Sequence, residues 1–254
     1  MRDTEPTEAN AAPASPYDRI AGIYDPWSRS VTEDVAFYVV EARKAAGAVG
    51  APPGSPVVEL GVGTGRIAVP TAEAGVPVIG VDSSGAMLDV CRTRGEAAGV
   101  ARLLDLRLGD LRDPPVSERV PLVTCPFRAY LHLADDAERV AALRAAHALL
   151  VPAGRLAFDV FTPSSDDIEE TNARWLEREP GIWERAEWDE EVRSLTLSVR
   201  GGEAEATMTL FWLSTEEWRA ALTRAGFEVE ACYGWFDRRP YRGGEDSIWI
   251  ARAI

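Results

Sequence analysis

"VVELGVGTGRIAVP", residues Val57–Pro70, begins as a short apolar run, passes three glycines spaced two residues apart and ends in residues that can open a helix. A chain that turns abruptly from a strand into a helix needs backbone conformations that glycine adopts most readily, and a ligand that approaches the backbone needs positions without side chains. This stretch therefore predicts a strand, a tight turn and a helix arranged around a nucleotide-like ligand.

Strand and helix patterns alternate from this stretch onward. Five strand patterns alternate with three helical patterns, the strands at 57–60, 77–81, 103–108, 120–125 and 155–161, the helices at 65–74, 84–98 and 135–150. The strands are continuously apolar, which predicts a parallel sheet covered by helices on both faces.

The rest of the chain has a different character. "SLTLSVRGGEAEATMTLFWLS" predicts two antiparallel strands joined at Gly201-Gly202. "STEEWRAALTRAGF" predicts a capped helix, because Ser214 or Thr215 is followed by Glu217 and a glycine ends the pattern. The segments "EVEACYGWF" and "DSIWIARAI" predict the last two strands.

The predicted organisation has four parts. Residues 1–15 are rich in Pro, Ala, Thr and Glu without periodicity, a composition that predicts a disordered tail. Residues 16–50 carry aromatic and aliphatic residues at helical spacing and are predicted to form a helical lid over the main fold. Residues 51–162 and 214–254 are predicted to form the core, and residues 163–213 a small cap inserted after the fifth strand.

Composition excludes several classes of partner. The 254 residues include 27 basic and 41 acidic side chains, for a formal net charge of −14, so general attraction to a nucleic-acid backbone is not expected. The N-terminus lacks the features of a signal peptide, and no apolar run is long enough to span a membrane. The three cysteines are widely spaced and odd in number, which suggests neither disulfides nor a zinc site. We expect a soluble, cytoplasmic protein.

Acidic residues follow two of the predicted strands. Asp82 ends the second strand, about twenty residues after the glycines, where a carboxylate can accept both hydroxyls of a ribose. Asp110 follows the third strand and would lie beside the next part of the same ligand. Dinucleotide dehydrogenases share the glycines and the ribose acid, but the two-residue glycine steps differ from G-x-G-x-x-G and favour a nucleoside without phosphates.

At this point the chain resembles class I S-adenosylmethionine-dependent methyltransferases, in particular the small-molecule branch with a YDxIAxxYD motif, present here as Tyr17 to Asp25. The resemblance covers nearly all of the chain from Tyr17 to Ile254 and includes "VVELGVGTGRIA", "VIGVDSSGAML", "LGDLRD", "HALLVPAGRLAFDVF" and "LTRAGFEVEACYGWF". It implies a Rossmann-like, doubly wound α/β fold with a seven-stranded sheet, an N-terminal helical lid and a small antiparallel β cap after the fifth strand.

The same resemblance implies a set of site residues. S-adenosylmethionine would be bound by Tyr17, Tyr24, Glu59, Gly61, Gly63, Gly65, Asp82, Ser83, Met87, Asp110, Leu111 and Phe127. Within this set the glycines approach the methionine end, Asp82 binds the ribose, and Asp110 and the Leu111 amide contact the adenine. Structural alternatives remain open for several members: a tight turn without ligand for the glycines, a helix cap for Asp82, a turn residue for Asp110 and simple packing for the two tyrosines.

The segment "VTCPFRAYLHL" after the fourth strand is expected to face the methyl group. It has no acid at the strand end, so the metal site of catechol-type methyltransferases is not predicted, and Thr124-Cys125-Pro126-Phe127 differs from the Asn/Asp-Pro-Pro-aromatic motif of nucleic-acid amino-methyltransferases. His132 is the candidate general base, because imidazole titrates in a useful range, and Tyr24 is grouped with it as catalytic. Arg128 is a candidate to bind a carboxylate of the substrate or of the cofactor. A packed histidine and a solvated arginine are the structural alternatives.

The predicted cap is rich in tryptophan and acid. Trp183, Trp212 and the nearby Trp235 are candidates to line an acceptor pocket, although core packing of a small sheet is the alternative for each. From Asp166 to Glu191 there are eleven acidic residues and three arginines, which favours a cationic or amine acceptor unless the run is a solvated face.

Together these features predict a metal-independent S-adenosylmethionine-dependent methyltransferase that acts on N or O of a small molecule. The alternative is a non-catalytic S-adenosylmethionine-binding protein, or an enzyme that uses the sulfonium for another reaction.

Overall fold

The computed structural model describes residues 15–29, 32–47 and 54–254. The predicted disordered tail lies outside these residues except for Ser15. Within the described ranges, no helix has both the length and the apolar character needed to cross a membrane.

A seven-stranded sheet forms the centre of the molecule. Its strands are Val57–Leu60 (β1), Val78–Asp82 (β2), Leu104–Leu108 (β3), Val120–Cys125 (β4), Leu150–Phe161 (β5), Phe227–Tyr233 (β10) and Asp246–Ala253 (β11). Their spatial order is β10-β11-β5-β4-β1-β2-β3, in which β1 to β5 run parallel and β11 pairs antiparallel with both β5 and β10. The predicted doubly wound seven-stranded sheet is confirmed.

The strand order determines where a ligand can bind. From β1 the chain first builds β2 and β3 on one side and then β4 and β5 on the other, so the order reverses beside β1. The helices that follow adjacent strands there diverge, which leaves a crevice at the carboxyl end of β1. Every residue of β1 and β4 is buried, as the continuous apolar patterns predict.

Seven α-helices surround the two sheets of the described chain. They are Ala21–Trp27 (α1), Glu33–Ala46 (α2), Ala68–Glu73 (α3), Gly85–Ala97 (α4), Asp136–Leu149 (α5), Ser165–Thr171 (α6) and Thr215–Arg224 (α7). A 3₁₀ turn, Pro16–Arg19, precedes α1. The capping box predicted for α7 is present, since Ser214 accepts from the Glu217 amide and the Glu217 carboxylate accepts from the Ser214 amide.

A second, four-stranded antiparallel sheet is inserted between β5 and α7. Its strands, in spatial as well as chain order, are Trp175–Glu179 (β6), Ile182–Asp189 (β7), Ser194–Gly201 (β8) and Ala204–Phe211 (β9). The predicted pair joined at Gly201-Gly202 is therefore confirmed as β8 and β9, whereas β6 and β7 were not predicted. The inserted segment leaves and rejoins the central sheet at one point, where the Thr162 hydroxyl donates to the Leu213 carbonyl at 2.9 Å.

The N-terminal segment packs against this second sheet. Ile20 is fully buried and forms one apolar cluster with Ile182, Val199 and Met208 of the inserted strands. Tyr17 and Tyr24 pack on the edge of this cluster. This N-terminal segment, residues 15–29, is thereby fixed between the second sheet and the crevice at β1.

Candidate functional site

The three glycines after β1 serve two structural purposes. All three have positive φ, at +72° for Gly61, +54° for Gly63 and +79° for Gly65. Gly61 and Gly63 line a cavity at the end of β1, where bare backbone lets a ligand come close. Gly65 does not line it; a Cβ there would lie 2.5 Å from the Sγ of Cys91, so this glycine allows α4 to pack against the loop.

The cavity beside Gly61 and Gly63, here called the glycine-loop cavity, has a volume of about 360 Å³. Ten of the twelve residues predicted to bind the cofactor line it, namely Tyr17, Tyr24, Gly61, Gly63, Asp82, Ser83, Met87, Asp110, Leu111 and Phe127. The topology thus brings residues from the N-terminus, three strand ends and the turn after β4 to one place.

Asp82 anchors the loops around this cavity. One carboxylate oxygen accepts from the Gly63 amide and the other from the Ser84 amide, both at 2.8 Å. Burial raises the pKa of the Asp82 carboxyl, and these amide hydrogen bonds oppose the rise. Each oxygen of an ionised carboxylate has a second acceptor site, so Asp82 can still accept hydrogen bonds from a bound diol. Ser84 caps α4 by accepting from the Met87 amide, which leaves Asp82 outside that role.

Glu59 differs from the position that the sequence suggested. It lies inside β1, 3% exposed, and is not among the residues lining the glycine-loop cavity. Burial raises the pKa of its carboxyl to about 8, while Arg66 and the Ala68 amide oppose this rise. The Glu59 carboxyl group therefore contacts the start of α3, where it accepts from the Ala68 amide, and not the glycine-loop cavity.

In the two Tyr-Asp pairs of the N-terminal motif, Tyr17-Asp18 and Tyr24-Asp25, the tyrosines and the aspartates have different roles. Tyr17 and Tyr24 line the glycine-loop cavity. Asp18 accepts from the Ser84 hydroxyl at 2.6 Å and from the Ala86 amide at 3.2 Å. Asp25 accepts from the Thr64 hydroxyl at 2.6 Å and pairs with Arg94. The aspartates therefore fasten the N-terminal segment to the elements on either side of the cavity.

Tyr17 contacts the candidate base directly. Its hydroxyl lies 2.9 Å from Nε2 of His132, and the Thr209 carbonyl on β9 accepts a hydrogen bond from the imidazole. Burial lowers the pKa of His132 to about 4, so the ring is neutral near pH 7. Because the N–H of the neutral ring donates to the Thr209 carbonyl, Nε2 carries no proton and accepts from the Tyr17 hydroxyl. His132 is thus a hydrogen-bond acceptor, and it titrates lower than the sequence suggested.

A second cavity lies between this cluster and the inserted sheet. This sheet-side cavity has a volume of about 720 Å³ and shares four lining residues with the glycine-loop cavity: Tyr17, Tyr24, Phe127 and His132. Its floor is apolar, built by Phe161, Ala186, Trp188, Leu195, Leu197 and Leu210. Four carboxylates and three guanidinium groups also line it: Asp167, Glu179, Glu184, Glu245, Arg29, Arg128 and Arg178.

These charged groups differ in whether they already have partners within the protein and so in how freely they can bind a ligand. Glu184 accepts from the Trp27 indole and from Arg178, each at 2.7 Å. Arg128 pairs with Asp246 at 3.1 Å and lies over the Phe161 ring. Glu179 has no ion pair among the described residues. Of the eleven acids between Asp166 and Glu191, only Asp167, Glu179 and Glu184 line the cavity.

The predicted substrate residues are distributed among different places. Arg128 lines the sheet-side cavity. Trp183 is not among the residues lining it, because successive side chains of β7 alternate between faces and Glu184, Ala186 and Trp188 take the cavity face. Trp212 is 7% exposed and packs edge to face on Trp188, whereas Trp235 lines a separate cavity of about 980 Å³. The tryptophan that the inserted sheet contributes to this cavity is thus Trp188, which alternation along β7 would have indicated.

The turn after β4 has an unusual backbone. Phe127 and Arg128 have φ values of 53° and 65°, in the left-handed region that disfavours side chains. Such residues typically cost about 1–3 kcal/mol each and persist where the surroundings hold them. The Phe127 amide donates to Asp159 at 2.8 Å, and the Arg66 guanidinium lies 4.5 Å from the Phe127 ring.

Among residues 15–29, 32–47 and 54–254, no three His, Cys, Asp or Glu side chains are grouped as a metal site requires.

Comparison with known proteins gives consistent matches. Residues 57–154 match a family model described as a methyltransferase domain. Cypemycin N-terminal methyltransferase from a Streptomyces species is 27% identical over 197 residues, covering 74% of this chain and 78% of that protein. The structure of the CcbJ methyltransferase from Streptomyces caelestis matches with a TM-score of 0.82 and 25% identity, over 95% of this chain and 98% of that one.

A third match concerns the fold. The S-adenosylmethionine-bound structure of CalS10, an amino pentose methyltransferase from Micromonospora echinaspora, has a TM-score of 0.62 and 22% identity, and the match covers 92% of this chain and 95% of that one.

Proposed function

Because this chain is a class I S-adenosylmethionine-dependent methyltransferase, we propose that it methylates an amine nitrogen of a small molecule without a metal ion. The observation that carries the proposal is the wall of Tyr17, Tyr24, Phe127 and His132, which faces both cavities. A methyl donor in one cavity and an acceptor in the other meet only at this wall. In this proposal the N-terminal segment acts as the lid and residues 163–213 as the acceptor cap.

The glycine-loop cavity fits S-adenosylmethionine by its donor and acceptor set. Asp82 supplies a carboxylate for the ribose hydroxyls, and Asp110, whose carboxylate also accepts from the Arg112 guanidinium, lines the part of the cavity assigned to the adenine. Gly61 and Gly63 present bare backbone, and three aromatic rings face the part of the cavity nearest the acceptor. The bound cofactor supplies a methyl group already activated on sulfur, so the protein has to align the acceptor and exclude water.

Tyr17 and His132 orient the acceptor nitrogen in this proposal. The Tyr17 hydroxyl donates to Nε2 of His132, which leaves the lone pairs on Oη to accept from an amine N–H. The amine attacks with its free lone pair, so an acceptor that enters as an ammonium must first lose one proton to water. The proton it loses after methylation leaves through water, because a histidine with a pKa of about 4 holds a proton poorly near pH 7.

The sheet-side cavity is suited to an amine with an apolar body. Its floor is apolar, so the body of the acceptor loses water there favourably. Glu179, without an ion pair among the described residues, offers a carboxylate to an ammonium group during approach. One similar protein is named as an N-terminal methyltransferase and another as an amino pentose methyltransferase, which supports an amine acceptor here.

The residues at the end of β4 support the proposal of metal independence. The catalytic wall consists of phenol, phenyl and imidazole groups, and Thr124-Cys125-Pro126-Phe127 brings no carboxylate to it. A divalent cation such as magnesium needs several hard oxygen ligands.

The experiment has two stages. Purified protein and S-adenosylmethionine with an isotopically labelled methyl group are added to a cell extract, and mass spectrometry identifies the small molecules that carry the label. Amines, carboxylates and phenols related to each product are then compared. We expect amines to react best; preferred methylation of phenols or carboxylates would refute the amine assignment.

Two single substitutions in the inserted sheet test whether the acceptor binds in the sheet-side cavity. Glu179→Gln is expected to raise KM for a cationic amine several-fold, because it removes an unpaired carboxylate from the cavity. Glu187→Gln is the matched control, since Glu187 is exposed on the opposite face of β7. Equal effects of the two changes would show that the acceptor binds elsewhere.

A further inference from the structure

Asp159 is a buried acid that lines neither cavity. It lies in β5, 6% exposed, within the otherwise apolar run Leu156–Phe161. Its Oδ1 accepts two hydrogen bonds, from the Phe127 amide at 2.8 Å and from the Tyr38 hydroxyl at 2.5 Å. An acid in such a place has no solvent to stabilise its charge, so these two donors take that role.

The position of Phe127 depends on contacts with neighbouring charged side chains. Its left-handed backbone and that of Arg128 are disfavoured, yet its ring must stay at the wall shared by the two cavities. The ring is fixed on one side by the Arg66 guanidinium, which Asp34 binds through both oxygens at 2.7 and 2.5 Å. The backbone amide of Phe127 is fixed by Asp159.

We propose that Asp159 is a positioning residue for methyl transfer, which keeps Phe127 at the wall between donor and acceptor by accepting from the Phe127 amide while its carboxylate is ionised. The proposal rests on the proposed function, in that the wall is where the methyl group crosses. Asp159 acts through Phe127 and touches neither substrate nor cofactor.

The surroundings of Asp159 set the pH at which this hold changes. Asp34 and Tyr38 face it from α2, Arg66 from the glycine loop, and Cys125 and Arg128 from the end of β4. Burial raises the pKa of its carboxyl to about 6, and the Tyr38 hydrogen bond opposes the rise. Protonation replaces charge-assisted hydrogen bonds by weaker neutral ones. The charge-assisted hydrogen bond from the Phe127 amide to Asp159 is therefore present above about pH 6 and is weakened as the pH falls through about 6.

The first test compares methyl-transfer rates of the wild type and Asp159→Asn from pH 5 to pH 8. The rate is the initial transfer of labelled methyl groups into the small-molecule fraction of a cell extract at saturating S-adenosylmethionine. Dividing the wild-type rate by the Asp159→Asn rate at each pH removes the effect of the acceptor's own titration, because both enzymes act on the same acceptor. Since about one-tenth of a group with a pKa near 6 is ionised at pH 5, we expect the wild-type rate divided by the Asp159→Asn rate to fall several-fold, at most about tenfold, between pH 7 and pH 5.

Two further variants separate positioning from stability. Asp159→Ala removes the acceptor and is expected to lower the saturating rate at pH 8 at least about tenfold, with KM for S-adenosylmethionine within about threefold. Asp159→Asn keeps an oxygen for the Phe127 amide but not the charge, so its rate at pH 8 is expected to lie between those of Asp159→Ala and the wild type. Tyr38→Phe removes a hydrogen bond that favours the ionised carboxyl, so its acid limb is expected to shift above that of the wild type.

A second readout does not require turnover. Hydrogen exchange of a peptide containing Phe127, corrected for the intrinsic effect of pH, is expected to be slow above pH 6 and faster below it in the wild type. Asp159→Asn should abolish this dependence. The proposal is overturned if the exchange of that peptide keeps its pH dependence in Asp159→Asn, or if the ratio of the two rates does not change between pH 7 and pH 5. If labelled methyl reaches oxygen acceptors instead of amines, the proposed function fails while both readouts still test Asp159.

Discussion

Replacing Asp82 by alanine tests the cofactor side of the site most directly. The side chain ends β2 inside the glycine-loop cavity, and each carboxylate oxygen already accepts one amide hydrogen bond. The remaining acceptor sites suit the two hydroxyls of a ribose. Alanine removes both acceptors, and it also releases the Gly63 and Ser84 amides that shape the loops.

The expected loss of affinity follows from the hydrogen bonds removed. A hydrogen bond to a charged group contributes about 1.5–3 kcal/mol, and about 1.4 kcal/mol corresponds to a factor of ten in affinity. Water enters the space left by the carboxylate and replaces part of the interaction. We therefore expect S-adenosylhomocysteine to bind about ten- to a thousandfold more weakly to Asp82→Ala.

Calorimetry with S-adenosylhomocysteine measures this change. Asp105→Ala is the matched control, because Asp105 lies on the neighbouring strand β3, pairs with Arg107 near the surface and is not among the residues lining the cavity. Thermal unfolding of both variants shows whether the loops remain folded. Unchanged affinity in Asp82→Ala, or binding of NAD as tight as that of S-adenosylhomocysteine, would refute the reasoning.

Three other outcomes are expected. Asp18→Ala and Asp25→Ala should each speed the release of S-adenosylhomocysteine about tenfold in stopped-flow measurements, because each loses a charged contact that fastens the N-terminal segment; unchanged release would mean that the ligand leaves by another route. Trp188→Ala should raise KM for the acceptor more than Trp183→Ala, because only Trp188 lines the sheet-side cavity; the reverse order would place the acceptor on the other face of β7. EDTA should leave the rate unchanged, and a loss restored by magnesium would contradict metal independence.

Local pattern was sufficient to predict the central sheet. Continuous apolar runs such as Val57–Leu60 identified the parallel strands, since these are buried on both faces. Strands β6 and β7 were missed because acids and tryptophans interrupt their apolar positions. The alternation of Ile182, Glu184, Ala186 and Trp188 was nevertheless present and assigns these residues to one face.

The site could be predicted only where its residues belong to contiguous motifs. Ten of the twelve predicted cofactor residues line the glycine-loop cavity, because strand ends and their turns are local in sequence. The contact of Tyr17 with His132 joins residues 115 positions apart, and only the packing of the N-terminal segment on the second sheet creates it. The burial that lowers the pKa of His132 is likewise a tertiary effect. Asp159 did leave a sequence signal, as a single acid inside an apolar strand, but its partners became visible only in the fold.

The hydrogen bond between Thr162 and Leu213 joins the two ends of the inserted segment, which affects how proteins of this architecture could change their methyl acceptor. A segment whose two ends meet can be replaced by one of different length with little entropic cost to the remaining chain. Strands β1 to β4, with the glycine loop and Asp82, would be inherited unchanged by such a chimaera. Ile20 and Trp27 contact the inserted sheet, however, so residues 15–29 and 163–213 form one exchangeable unit and would have to be transplanted together.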